Sequence, residues 1–488
     1  MTFDVGTTAM KCILFDTEFR EVFSANKEYS IEVGAQGIAE ISAETYFDTF
    51  CQCVDEIWTA GVSRENITSI TFTTQGETLI PVDSDGEPLC KAIVWLDTRA
   101  GEEADIIRGQ IPESEMYPIT GLCGIDGALP AAKILWIYRN RPDIYERTYK
   151  FLLLEDYLIF RLTGKFVSEK SLQSSTGWYD IIHEVFYDRI TEICKIDVKK
   201  LPEILPCGVI VDTVDEKIAA KCGLSEKTVV TTGAMDQISS AVGVGNIKEG
   251  MCTETTGTAL VAGAATCSPV FDESSPITIY KHFDDKFIYM PYCSTAGMTL
   301  KWFRDKIMPY VTEEAKTRNI SAYDVITERA ETSPVGSKGV TMLPQLSEQG
   351  AFLGITLEIE ASDLARSVLE GVAYMLRDII EQIEGHNVAV NEFYSLGGGS
   401  YSPLWCQIKA DVCKKNIVCI DYAQTTSLGA AILASVAVGK YAGVEEALKV
   451  RKGTKRIVIP NEKNYEAYDN GYKKYKKYLN IYATQETI

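Results

Sequence analysis

The sequence is poor in everything that marks a metal centre, a disulfide scaffold or a nucleic-acid binder. Histidine occurs only three times, at His183, His282 and His386, with no metal-ligand spacing. No C-x-x-C pair exists among the 14 cysteines, which run from Cys12 to Cys419 with only Cys51 and Cys53 close together. Zinc-ribbon spacing is therefore absent, and reduced thiols in a cytoplasm are the expectation. Basic surplus is missing too: 48 Lys+Arg stand against 68 Asp+Glu, a net charge of −20. Such a balance argues against a phosphate-backbone partner, though backbone N–H groups still bind small phosphates. Long apolar runs are also missing. The longest, Leu428 to Val438, falls well short of the roughly 20 residues that span a bilayer. The N-terminus MTFDVGTT carries neither a basic nor an apolar signal region.

What is present is ordinary globular material, with 46% hydrophobic and 24% charged residues over 488 positions. That length suggests two large domains or three smaller ones; with no low-complexity linker and a Gly-Thr turn in each half, the reading is two, 1–244 and 245–488. Alternating short β runs and helical patterns predict an α/β class. Strands are expected at 2–5, 11–15 and 20–28, and a helix over 43–60 with Tyr46, Phe47, Phe50, Val54 and Ile57 on one face. Leu79–Val82 and Ala92–Trp95 read as a hairpin around Asp83–Gly86. Ser362 reads as the N-cap of a long amphipathic helix, and the Tyr- and Lys-rich tail after Tyr465 as surface.

Two segments half a chain apart share a pattern. Asp4-Val5-Gly6-Thr7-Thr8 precedes a strand containing Lys11, and Thr256-Gly257-Thr258 turns between two β runs. Glycine lets a backbone approach a phosphate, threonine hydroxyls donate to it, and Asp4 can hold Mg²⁺ directly or through water. An ordinary β-hairpin explains each turn equally well. Asp236 follows a strand and opens a helix, a position that suits a plain N-cap or a general base held over a cleft. Gly397-Gly398-Gly399 can cover a purine or make a tight strand-to-helix turn.

Taken in order, these features resemble the ATPases of the actin and hexokinase superfamily, and most closely the FGGY carbohydrate kinases. Leu129-Pro130-Ala131-Ala132-Lys133-Ile134-Leu135-Trp136 is similar to the family's first signature, with Ala128 departing from its leading residue. Gly350 to Ile355, then Asp363-Leu364 and Ser367 to Glu370, fit the second. Gly397 to Ser400, Ser402 to Trp405 and Ser427 to Ala431 resemble the adenosine-side block of xylulokinase-like members.

The resemblance implies two ribonuclease-H-like domains flanking a catalytic cleft, and an ATP- and Mg²⁺-dependent kinase of a sugar or polyol. Asp236 would then take the hydroxyl proton and, with Asp4, hold Mg²⁺. Thr7, Thr8, Lys11, Gly257 and Thr258 would contact phosphates. Gly297, Gly398, Gly399 and Ser400 would line the nucleotide pocket. Gln75, Gly76, Glu77, Trp95, Asp236 and Gln237 would meet the sugar. Glu77-Thr78, Trp95 and Asp236-Gln237 lean toward glycerol kinases, whereas the C-terminal block is xylulokinase-like. Gly127-Ala128 replace the aromatic wall expected around glycerol, which leaves room for a longer substrate. The reading is xylulose, with glycerol, erythritol or another pentulose as alternatives.

Two departures stand out: the loop 343–349 lacks a longer Gly-Glu-Arg-x-Pro stretch, and few residues precede Asp4, so a longer native start is an expectation. Homodimers are common in the family, but no interface is legible here. A non-catalytic actin-like ATPase is the rival of a different class. A dinucleotide dehydrogenase ranks lower still, because neither hairpin offers G-x-G-x-x-G after a strand.

Overall fold

The computed structural model describes every residue except 258, 294, 347–349, 421–423, 452–453 and 486–488. Two α/β units emerge. The first comprises Met1–Ile247, Cys267–Ile288 and Tyr422–Lys452, and the second Lys248–Thr266, Tyr289–Asp421 and Gly453–Ile488.

In the first unit, six strands form one sheet. They are β1 (Thr2–Val5), β2 (Ala9–Phe15), β3 (Glu21–Glu28), β4 (Ser69–Thr74), β5 (Ile210–Thr213) and β6 (Val229–Met235), in the order β5-β6-β4-β1-β2-β3. β1 pairs antiparallel with β2, setting Asp4 opposite Lys11, and parallel with β4. Helix α1 (Ala43–Thr59) buries the expected face, Tyr46, Phe47, Phe50, Val54 and Ile57. The Phe50 ring packs tilted against Phe3 of β1, 4.6 Å between centroids, so the strand that carries Asp4 is anchored from its core side.

β6 does not run straight. Its register with β4 shifts between Thr231 and Ala234, the mark of a bulge. Gly233 sits in the shift, where a Cβ would lie 1.7 Å from Phe72 O, so only glycine fits. The bulge re-aims the chain into helix α2 (Asp236–Val244), whose first residue is Asp236.

The hairpin expected between Leu79–Val82 and Ala92–Trp95 is not the main pairing. Leu79–Val82 pairs along its whole length with Lys150–Leu153 and meets Ala92–Ile93 only at Leu79. Local turn chemistry was right, since Asp83 accepts from Asp85 and Glu87 N–H, but the long-range partner won.

The second unit contains β7 (Gly250–Thr256), β8 (Leu260–Thr266), β9 (Val390–Leu396), β10 (Asn416–Ile420) and β11 (Lys455–Val458), in the order β8-β7-β9-β10-β11. β7 and β8 form the second antiparallel hairpin, closing at Thr256 and Leu260. Helix α3 (Ala361–Gly385) begins one residue before Ser362, because Asp363 Oδ2 accepts the Glu360 N–H at 2.9 Å and sets the cap there. Helix α4 (Pro403–Cys413) starts on Ser402, whose hydroxyl accepts the Trp405 N–H.

The tail is not surface decoration. Helix α5 (Tyr465–Gln485) buries Tyr468, Tyr472 and Tyr475. Tyr468 accepts from Arg366, and Tyr475 from Gln345 Nε2. A tyrosine every third or fourth residue is an amphipathic stripe whose hydroxyls find buried partners. Among the described residues, no helix is long and apolar enough to cross a membrane.

Candidate active site

The bulge in β6 frees backbone donors that the sheet would otherwise satisfy. Buried side chains take them up. Gly233 N–H donates to Glu155 Oε1 at 2.7 Å, and Met235 N–H to Ser171 Oγ at 3.0 Å. Ser171 in turn donates to Glu169. Burial holds the Glu155 carboxyl well above the usual carboxylate range, and the nearby Glu169 raises it further. A rigid, hydrogen-bonded strand end thus delivers Asp236 to the start of α2.

Asp236 keeps one oxygen on the Gln237 N–H, at 2.6 Å. Its pKa is pushed up to about 7 by desolvation and by the charges of Asp4 and Glu77. Asp4 is raised to about 6 by burial, a shift that Lys11 across the hairpin opposes. These carboxylates lie close enough to repel one another, an arrangement suited to a poised base or to a cation between acidic groups. Among the described residues, no group of three or more His, Cys, Asp or Glu could hold a metal by itself. Asp4 and Asp236 fit Mg²⁺ only in the manner that ion favours, with phosphate oxygens and waters completing its shell.

A ring of hydrogen bonds ties the first hairpin to the loop after β4. Trp95 Nε1–H donates to Thr7 Oγ1 at 2.9 Å, and Thr7 donates to Gln75 Oε1 at 2.9 Å. Gln75 Nε2 then donates to Thr78 Oγ1, which also accepts the Trp95 N–H at 3.3 Å. Thr8 is exposed beside this ring, and Lys11 Nζ donates to Gln424 Oε1 at 2.9 Å. Gly76 is buried next to Ser175 and Met235. Glu77 takes a positive φ of 56°, uncommon for a side-chain-bearing residue, and burial raises its carboxyl.

Lys133 explains how that loop is held. It is fully buried, and its Nζ donates to the backbone carbonyls of Glu77 and Val94, both at 2.9 Å. Burial lowers its pKa to about 8, with Glu77, Asp97 and Asp126 opposing the shift. The sequence reading used Lys133 only as part of a signature; its bonding was invisible there.

The second unit contains a cavity of about 530 Å³ lined by Thr256, Gly257, Gly297, Gly398, Gly399 and Trp405, among others. Three glycines expected at the nucleotide, Gly297, Gly398 and Gly399, and Gly257, expected at phosphate, therefore converge on one space. Ser400 does not line it: its hydroxyl turns back to donate to Gly397 O at 2.7 Å, closing the turn. Thr258 lies outside the described residues. The reading missed Met298, Lys301, Tyr323 and Thr327, which also line the cavity and form no contiguous motif.

This pairing of a carboxylate-bearing hairpin unit with a glycine-walled pocket unit is matched in known proteins. The N-terminal domain of the FGGY family of carbohydrate kinases matches residues 1–243, and its C-terminal domain residues 252–438. The chain belongs to the FGGY family of carbohydrate kinases. It is a carbohydrate kinase, and ATP is the phosphoryl donor of such enzymes. A xylulose kinase of Staphylococcus xylosus is 25% identical, over 97% of this chain and 98% of its own. A gluconokinase of Bacillus subtilis is 27% identical, over 90% of this chain and 87% of its own. Among solved structures, a ligand-bound xylulose kinase from Lactobacillus acidophilus superposes with a TM-score of 0.90 at 24% identity, covering 99% of each chain. That likeness speaks for the two-domain α/β fold.

Proposed function

We propose that this kinase phosphorylates a hydroxyl of a neutral ketose or polyol, with D-xylulose, giving xylulose 5-phosphate, as the leading substrate. Glycerol, erythritol and other pentuloses are the alternatives. The observation that carries the reading is the acidic character of the site: burial raises the carboxyls of Asp4, Glu77 and Asp236, and the charges of Asp4 and Glu77 raise Asp236 further. A carboxylate substrate such as gluconate would add a further negative charge there. Of the two lysines at hand, Lys133 is spent on backbone carbonyls and Lys11 is assigned to phosphate. A neutral polyhydroxyl chain suits carboxylates and amides that accept and donate hydrogen bonds. Relatives named as xylulose kinases support the same choice.

In this reading residues 1–244 do the sugar and phosphate work, and 245–488 hold the nucleotide. Asp236 accepts the hydroxyl proton late, as the new P–O bond forms, because an alcohol is far less acidic than a carboxylic acid. Gln75, Gly76, Glu77, Trp95 and Gln237 orient the sugar. Thr7, Thr8, Lys11, Gly257 and Thr258 contact phosphate, and Gly297, Gly398 and Gly399 border the nucleotide. Asp4 and Asp236 would hold Mg²⁺, which would neutralise phosphate charge. All 14 cysteines are free thiols, which supports a reducing cytoplasm as the place of action.

A coupled ADP-release assay over xylulose, ribulose, glycerol, erythritol and gluconate tests the proposal. Xylulose should give the highest kcat/KM and gluconate no turnover. Preferred turnover of gluconate would overturn the charge argument. ATP hydrolysis indifferent to every sugar would instead favour a non-catalytic actin-like ATPase.

A further inference from the structure

An ion pair lies directly behind the cavity of the second unit. Glu254 of β7 and Lys409 of α4 are both fully buried and bonded to each other. Neither charge touches water, an arrangement with a high desolvation cost that a pair of apolar side chains would avoid. Apart from Ser395, the partners of the pair lead toward the cavity wall. Lys409 Nζ donates to Thr256 Oγ1 at 2.8 Å, and Thr256 donates to Glu254 Oε2 at 2.8 Å. The same ammonium lies 4.9 Å from the centre of the Trp405 ring. It also sits where a Cβ on Gly399 would come within 3.1 Å of it. Ser395 of β9 completes the carboxylate by donating to Glu254 Oε1 at 2.8 Å. Thr256, Gly399 and Trp405 all line the cavity.

We propose that Glu254 and Lys409 are positioning residues for the nucleotide: the pair locks the end of β7, the glycine turn and α4 into one wall, and so sets ATP affinity. The inference rests on the reading of this cavity as the nucleotide site. The Thr256 hydroxyl is committed to the pair, with its proton given to Glu254 and one lone pair taken by Lys409. It therefore acts as a strut between the pair and the hairpin, and the wall meets the ligand through backbone groups and the Trp405 face. An apolar replacement could fill the same volume, yet it would let β7 and the turn choose their own spacing.

The test compares ADP binding by calorimetry and the separate KM values for ATP and sugar. G398W, which drives a bulky ring into the cavity, should abolish ADP binding. Unchanged binding in G398W would overturn the cavity reading, and the proposal with it. E254Q/K409M removes both charges but keeps a polar partner for Thr256 and Ser395. It should bind ADP about tenfold more weakly, the loss expected when hydrogen bonds that set a wall are disturbed, with the sugar KM unchanged. Normal ADP affinity in this variant, beside a G398W that binds none, would overturn the role of the pair alone. An equal rise in both KM values would also overturn it. Should the double variant not fold, as judged by circular dichroism, T256V and T256S decide. T256V must weaken ADP binding and T256S restore it; T256V with wild-type affinity would overturn the proposal.

Discussion

The indole N–H of Trp95 donates to the hydroxyl of Thr7 at 2.9 Å, so the residue expected to face the sugar is wired to the hairpin expected to face the phosphate. Thr7 passes the contact on to Gln75. In the proposed reading one hydroxyl thereby helps to position the reacting ends of both substrates. W95F keeps the aromatic surface and removes the donor. It is expected to raise the sugar KM about threefold to tenfold, the worth of one hydrogen bond, and to leave ADP affinity unchanged by calorimetry.

In the proposed reading Asp236 is the base that takes the sugar hydroxyl proton. D236N keeps the size of the side chain and removes its basicity. Sugar phosphorylation should fall by about 10²–10⁴-fold, the usual contribution of a general base, while ADP binding survives. Near-normal turnover would place the base elsewhere.

A pH profile tests the same residue without mutation. The base works only when deprotonated, and its pKa in the ligand-free protein is about 7. The kcat/KM for sugar should therefore drop as pH falls below about 7 and flatten above it. A flat profile down to pH 5 would remove Asp236 from this role.

The buried carboxyls behind β6 make a prediction about stability. Asp156 is raised to about 7 in the folded protein and Glu155 well above its ordinary value, both by desolvation. The folded state then binds more protons than the unfolded chain between the ordinary carboxylate range and about 7. Stability is full below that range and declines as pH rises through it. Melting temperature should be higher at pH 5 than at pH 8. E155Q, which mimics the protonated acid, should reduce this slope and retain activity. E155L leaves the Gly233 N–H without its acceptor and should lower kcat.

Gly399 offers a packing test. A Cβ there would approach the Thr256 Cβ to 2.8 Å. G399A should push the turn away from β7 and raise the ATP KM more than the sugar KM, as steady-state kinetics with each substrate varied in turn would read.

Much of the site was legible because its residues sit in local patterns. Asp4 with Gly6-Thr7-Thr8, the loop 75–78, Asp236 after a strand, and Gly397–Gly399 are each a short run whose conformation follows from glycine and threonine. The α1 face was readable from its helical period. What could not be read depends on partners distant in sequence. Leu79–Val82 chose Lys150–Leu153 as its neighbour, a pairing that no local turn encodes. The tail helix was misplaced on the surface because its tyrosines are buried against Arg366, Tyr374 and Gln345. Glu254 and Lys409, 155 positions apart, carry no motif at all. Lys133 was read correctly as a marker and not as a bond, since a sequence cannot show which carbonyls an ammonium will choose.

The manner in which Lys133 bonds has an evolutionary consequence. It grips positions 77 and 94 through carbonyl oxygens, which every amino acid carries. The anchor is thus indifferent to the side chains it holds in place. In the proposed reading, substitutions at residue 77 that tolerate its positive φ leave the carbonyl anchor in place, so the set of accepted sugars can drift while the scaffold beneath stays fixed. Directed evolution of a new substrate should accumulate changes at 77 and 95, and none at 133.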